Sequence, residues 1–148
     1  MKYIHNDGGR AASGRRGTCG DCVTRALAIA MERPYDEIYN HMCHVNARTP
    51  KTRCRRKHDK SHSASSGIYT TSQVFKNWMR AQGWEFIATM GIGTGCKVHL
   101  GSNELPMGRI IARVSRHYTA VVDGVTNDIY DPNRAGTRCV YGYWRKAQ

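Results

Sequence analysis

Gly20-Asp21-Cys22-Val23-Thr24-Arg25-Ala26-Leu27-Ala28-Ile29-Ala30 is the stretch from which the rest of the chain can be read. Val23, Ala26, Leu27, Ala30 and Met31 recur at i, i+3, i+4, i+7 and i+8, the apolar stripe of a helix with one face in a core. Asp21 is of the residue type that caps a helix, and Pro34 ends or interrupts the run after Arg33. Cys22 is therefore expected as the first helical residue, beside the stripe and not within it. A helix N-terminus lowers a thiol's pKa and offers unpaired backbone N–H groups to an oxyanion. The competing reading is an inert packed thiol, since free cysteines are commonly buried.

A second stretch bears on that choice. Arg109 to Pro132 reads as strands joined by tight turns, with Asp123-Gly124 a hairpin signal between β-rich flanks. His117 opens the first arm and Asp131 closes the second. With a three-residue loop, His117 stands opposite Asp131; with a strict two-residue loop, Asp131 falls one position off, on the other face, unless a bulge corrects it. A carboxylate beside an imidazole sets its tautomer and stabilises the imidazolium, while the imidazole takes a thiol's proton. Singly, His117 is an ordinary strand histidine and Asp131-Pro132 an ordinary turn. With Cys22 they make a Cys–His–Asp set.

The order Cys, His on a strand, then Asp-Pro resembles the papain-like cysteine peptidases. It is most similar to their bacteriocin-leader-processing branch, whose signatures are "DC" at a helix start, "H(Y/F)xxV" on a strand and "DP" after the next strand. Position by position, the resemblance implies Cys22 as nucleophile, His117 as base and Asp131 as the orienting acid. GDCVTRALAIA, GCKVHL, ELP, RHYTAVVDG and CVYGYW also resemble a family of uncharacterised small bacterial and phage proteins, which brings no chemistry of its own. One position departs from the papain-like pattern. The glutamine that completes the oxyanion hole corresponds to Arg16, so Arg16, Thr18 and Asn6 are the candidate donors from the lead-in, beside the backbone N–H of Cys22.

The chain has 148 residues, the size of one domain. It contains no apolar run long enough for a membrane span, and its first residues lack the apolar core of an export signal. Six cysteines in such a chain read as reduced thiols in a cytoplasmic setting, bacterial or phage-derived. The net charge of +12 gathers in Arg10, Arg15 and Arg16 and in a middle segment from Arg48 to Lys60. Arg53, Arg55, Arg56 and Lys57 are the centre of that segment, within a basic loop at about 46–67 of loop-like composition. It reads equally as a grip on nucleic acid or an acidic protein and as a solvated loop.

Helices and strands follow from the patterning. Pro34 to Met42 reads as a helix with proline and acids in its first turn. Thr70 to Gln73 reads as a capping box ahead of Val74–Gln82, stopped by Gly83. Trp84–Met90, a stretch near Val98–Leu100, the hairpin and Cys139–Trp144 read as strands. Helices followed by an antiparallel sheet make an α+β fold, the class that the papain-like resemblance also implies.

The rival chemistry is structural zinc. Cys19 with Cys22, then His41, Cys43 and His44, then Cys54, His58 and His62 are potential ligands, although no standard paired spacing is completed. The favoured expectation is a single papain-like α+β domain that cleaves a peptide, isopeptide or other amide bond, by hydrolysis or acyl transfer. It uses no metal or cofactor and has a peptide or protein substrate. The alternative is a non-catalytic basic binding module on the same scaffold.

Overall fold

The computed structural model describes residues 3–15, 20–50, 64 and 67–148. The apolar stripe that begins at Val23 folds as helix α1, Cys22–Met31. It ends where Glu32 takes a left-handed conformation (φ 55°) and its N–H returns to the last turn, ahead of Pro34. Helix α2 spans Tyr35–Arg48, six residues beyond the expected end at Met42, because Val45 and Asn46 continue the buried face of Tyr35, Ile38 and Met42. Pro34 stands just before this helix, at the capping position and not in the first turn. Helix α3 spans Gln73–Ala81. Its cap is Ser72, whose hydroxyl accepts the Phe75 N–H at 3.2 Å. The expected Thr70–Gln73 box does not form, because Gln73 lies within the helix and its amide reaches forward to Asn77 at 2.7 Å.

The strands are β1 (Tyr3–His5), β2 (Trp84–Ala88), β3 (His99–Leu100), β4 (Arg109–Val114), β5 (His117–Val122), β6 (Val125–Asp128) and β7 (Arg138–Lys146). Their order is β1-β6-β5-β4-β7-β2, with β3 paired to β7. All neighbours run antiparallel except β1, which joins β6 in parallel. The expectation of a purely antiparallel sheet is corrected by this short N-terminal strand, which carries too little periodicity to be read from sequence. The class is α+β, with the helices on a mixed sheet.

Alternation sorts the strands between two cores. Ile111, Tyr118, Ala120 and Trp144 meet the three helices. Ile110, Ala112, Val114, Val121, Val140 and Tyr143 point the other way and are covered by Val98, Leu100 and Leu105. That covering segment is tied down by a Cys96–Cys139 disulfide, across a sequence separation of 43 residues. The expectation of six reduced thiols is therefore overturned for this pair. The pairing of His99 with Cys139 brings the two backbones to a Cα–Cα distance of 5.8 Å, which suits a disulfide. Closing a loop of this length removes about 4 kcal/mol of denatured-chain entropy in the simple polymer account. Among the described residues, Cys22 and Cys43 are free.

Gly142 on β7 is dictated by packing. A Cβ there would lie 2.2 Å from Phe86 Cζ and 2.9 Å from the Ile87 carbonyl oxygen. The Phe86 ring occupies that space and packs on Trp144, with a centroid separation of 5.3 Å. Gly142→Ala is expected to lower the unfolding free energy by about 1–3 kcal/mol, the usual cost of overpacking, measured as a fall in the urea midpoint at unchanged slope.

Candidate active site

The N-terminus of α1 rests against the start of β5, and the two sequence candidates Cys22 and His117 are the residues that meet there. His117 is buried and Cys22 partly so. The Cys22 sulfur faces the His117 ring and the backbone N–H of Tyr118. His117 Nε2 lies 2.6 Å from Asp128 Oδ2, so Nδ1 is the ring nitrogen left for the thiol. Asp128 closes β6, and its other oxygen accepts the Ile129 N–H at 2.7 Å.

The carboxylate on the imidazole is thus Asp128; the structure does not bring Asp131 to His117. Val122 pairs with Val125, leaving Asp123-Gly124 alone as the loop. Both residues have positive φ, 49° and 80°, as a type I′ turn requires. Continuing that register past the last ladder pair puts His117 level with Tyr130, whose ring centroid is 5.2 Å away. Residues two apart on a strand share a face, which selects Asp128. Asp131 is exposed, and its Oδ1 accepts the Asn133 N–H at 2.9 Å in a local turn.

Arg25, one turn into α1, was not expected at the site. It is buried, it bonds Asp21, and its Nη2 lies 3.8 Å from Asp128 Oδ1. Asp21 occupies the N-cap position, but its side chain caps no helix amide. Its carboxylate accepts instead from Arg25, from Arg10 Nη1 at 3.1 Å and from the Tyr35 hydroxyl at 2.6 Å. The first-turn N–H groups of α1 are consequently left without a side-chain cap. The signal in the sequence is the i, i+4 spacing of Asp21 and Arg25 at the start of a helix whose other buried residues are uncharged.

These neighbours set the ionisation. Burial raises the Cys22 pKa, but the hydrogen bond and charge of His117, the Tyr118 N–H and the charge of Arg25 outweigh it, and the thiol titrates below its ordinary value. Burial works against the imidazolium, yet Asp128 and Cys22 hold the His117 pKa up to about 9. Asp128 is held below the usual carboxylate range; burial opposes this, and His117 overcomes it. The favoured state is a thiolate–imidazolium pair with a carboxylate behind it.

A cleft of about 410 Å³ opens on the sulfur, walled by Gly20, Ile68, Thr70, Arg113, Arg116 and Tyr141. Of the expected lead-in donors, Arg16 and Thr18 lie outside the described residues. Asn6 is elsewhere: it donates to Asn127 Oδ1 at 3.2 Å, accepts the Gly8 N–H and lines a separate cleft beside Ala28 and Arg109. Arg53, Arg55, Arg56 and Lys57 also lie outside the described residues. Two lead-in arginines are drawn inward. Arg10 serves Asp21 and Tyr35, and Arg15 stacks on Tyr39 at 3.6 Å and pairs with Asp36. Among the described residues no three His, Cys, Asp or Glu side chains converge on a point. Cys19, Cys54, His58 and His62, from the zinc alternative, lie outside them. Among the described residues, no helix is long and apolar enough to cross a membrane.

Compared with protein-family models, curated proteins and solved structures, the chain matches none.

Asp128→Asn is expected to slow iodoacetamide labelling of Cys22 near neutral pH and return its pH midpoint toward that of an ordinary thiol. Asp131→Asn keeps a side-chain oxygen for the local turn and leaves labelling unchanged. Equal effects of the two would remove Asp128 from the site. Arg25→Met leaves two buried carboxylates without their shared cation and is expected to cost about 3–5 kcal/mol of stability, read by chemical denaturation; Arg25→Lys, which keeps the charge, costs less.

Proposed function

We propose that this protein is a cysteine-dependent amide hydrolase or acyl transferase of papain-like architecture, with Cys22 as nucleophile, His117 as acid and base, and Asp128 as the orienting carboxylate. The observation that carries this reading is the Cys22 sulfur facing a His117 ring that is itself hydrogen-bonded to Asp128, at the start of a buried helix. An inert packed thiol needs neither the imidazole nor the carboxylate behind it. The Asp128 contact at Nε2 presents Nδ1 to the sulfur, the orientation in which one ring can hand a proton to a leaving group and later recover one from water.

The Cys22 thiolate attacks the carbonyl carbon; a C–S bond forms and the carbonyl π pair moves onto oxygen. The backbone N–H of Cys22 and the uncapped first turn of α1 face that negative charge. When the intermediate collapses, the C–N bond breaks and the amine leaves with the proton from His117 Nδ1. A thioester on Cys22 remains. His117, now neutral, takes a proton from water as its oxygen attacks the thioester, the C–S bond breaks, and the acid and the thiolate–imidazolium pair are regenerated. An amine in place of that water gives transfer.

The test is to incubate the protein with activated peptide thioesters and esters and to look for an acyl adduct by intact mass. The adduct is expected on Cys22 and is lost in Cys22→Ala; His117→Ala slows its formation on the order of 10²–10⁴-fold. An adduct on another residue, or unchanged rates in His117→Ala, overturns the reading.

The pH dependence has a defined sign. Leaving-group protonation needs the imidazolium, which is present below its pKa of about 9 and lost above it. Amide turnover is therefore expected to fall as pH rises through about 9, whereas alkylation of Cys22, which needs only the thiolate, does not fall there. The two curves, measured on the same preparation, should separate in that range.

A further inference from the structure

The cleft that holds Cys22 is walled by two arginines, Arg113 and Arg116, and by no carboxylate among the described residues. Arg113 pairs with Tyr118 across β4 and β5, so its side chain leaves the sheet on the face where Tyr118 meets α1, opposite the residue whose N–H faces the sulfur. Arg116 sits in the two-residue turn between these strands, at φ 54°. That backbone conformation suits glycine or asparagine better than a long side chain, yet here an arginine that lines the cleft occupies it. Elsewhere on the sheet, exposed arginines are neutralised within the fold: Arg109 pairs with Glu32 at 2.6 Å and Arg145 with Glu85 at 2.8 Å. Among the described residues neither Arg113 nor Arg116 has a carboxylate within ion-pair distance.

We propose that Arg113 and Arg116 bind a carboxylate carried by the substrate beside the bond that Cys22 attacks, so that the substrates are acidic amides. This rests on the reading of Cys22 as a nucleophile. A guanidinium offers paired N–H donors whose spacing matches a carboxylate. The net charge of +12 favours encounter with such a substrate and opposes basic ones. The carboxylate is either an Asp or Glu side chain or the free end of a peptide; both present the same group to the same two arginines.

The test compares alkylation of Cys22 by iodoacetate, which carries a carboxylate, and by iodoacetamide, its neutral counterpart. In each reaction the thiolate displaces iodide and forms the C–S bond. Arg113→Gln and Arg116→Gln are each expected to slow iodoacetate about two- to fivefold, the worth of a partly exposed ion pair. Iodoacetamide rates should change less, so that the iodoacetate-to-iodoacetamide ratio falls, and Arg80→Gln, on α3, should leave that ratio at the wild-type value. Melting curves of each variant confirm that it is folded. An unchanged iodoacetate-to-iodoacetamide ratio in both cleft variants overturns the proposal. If Cys22 reacts with both reagents no faster than Cys43, the nucleophile reading itself falls, and the proposal with it.

A second arm separates the two carboxylate sources by protection against iodoacetamide. A Glu-containing peptide blocked at both ends protects if the side chain is bound, and an alanine peptide with a free C-terminus protects if the α-carboxylate is. Protection by a fully blocked neutral peptide equal to either would overturn the assignment.

Discussion

Arg25 is held between two buried carboxylates, Asp21 at the entrance to α1 and Asp128 at the end of β6. A buried carboxylate without a partner is strongly unfavourable, and this one guanidinium serves both, beside Arg10 and Tyr35 at Asp21 and His117 at Asp128. Because it sits one turn into the helix, it fixes the helix N-terminus against the ends of β5 and β6. Cys22 is brought to His117 by the same constraint. Geometry and electrostatics at the site therefore have one origin.

The charges form an alternating row. Arg10 faces Asp21, Asp21 faces Arg25, Arg25 faces Asp128, Asp128 faces His117, and His117 faces the Cys22 sulfur. Each member has an opposite neighbour, and at Asp128, His117 and Cys22 these neighbours favour the ionised form over the neutral one that burial alone would select. This explains why a thiol largely withdrawn from solvent still titrates low while the imidazole next to it titrates high. It also explains why Asp21 abandons the helix cap: a carboxylate in contact with two arginines and a phenol gains more there than from one amide.

The two faces of the sheet divide the work. The helices cover one face and bring Cys22 to the strand ends. The segment around β3 covers the other, where Leu100 and Leu105 pack on Ile110, Ala112 and Val140 under the Cys96–Cys139 link. With both faces buried, β4 and β5 read as largely apolar runs whose polar positions are Arg109, Arg113, His117 and Thr119.

Local pattern was enough for much of this. The stripe from Val23 to Met31 determines α1 and puts Cys22 at its start, because a 3.6-residue period admits one buried face. The Asp123-Gly124 pair determines a hairpin that carries His117, because few other residues tolerate two successive positive φ angles. The strict two-residue loop, once known, also selects Asp128 by parity, but the competing three-residue loop is equally compatible with the sequence. That choice is made by pairing between strands, since a one-residue slip exchanges the faces of a whole strand. Contacts distant in sequence lay further out of reach. The parallel strand Tyr3–His5, the Cys96–Cys139 link and the placement of Arg25 between Asp21 and Asp128 have no local period to announce them. Each follows from which distant segments the closing sheet brings side by side, and that is decided by the assembled fold, not by the neighbours in the chain.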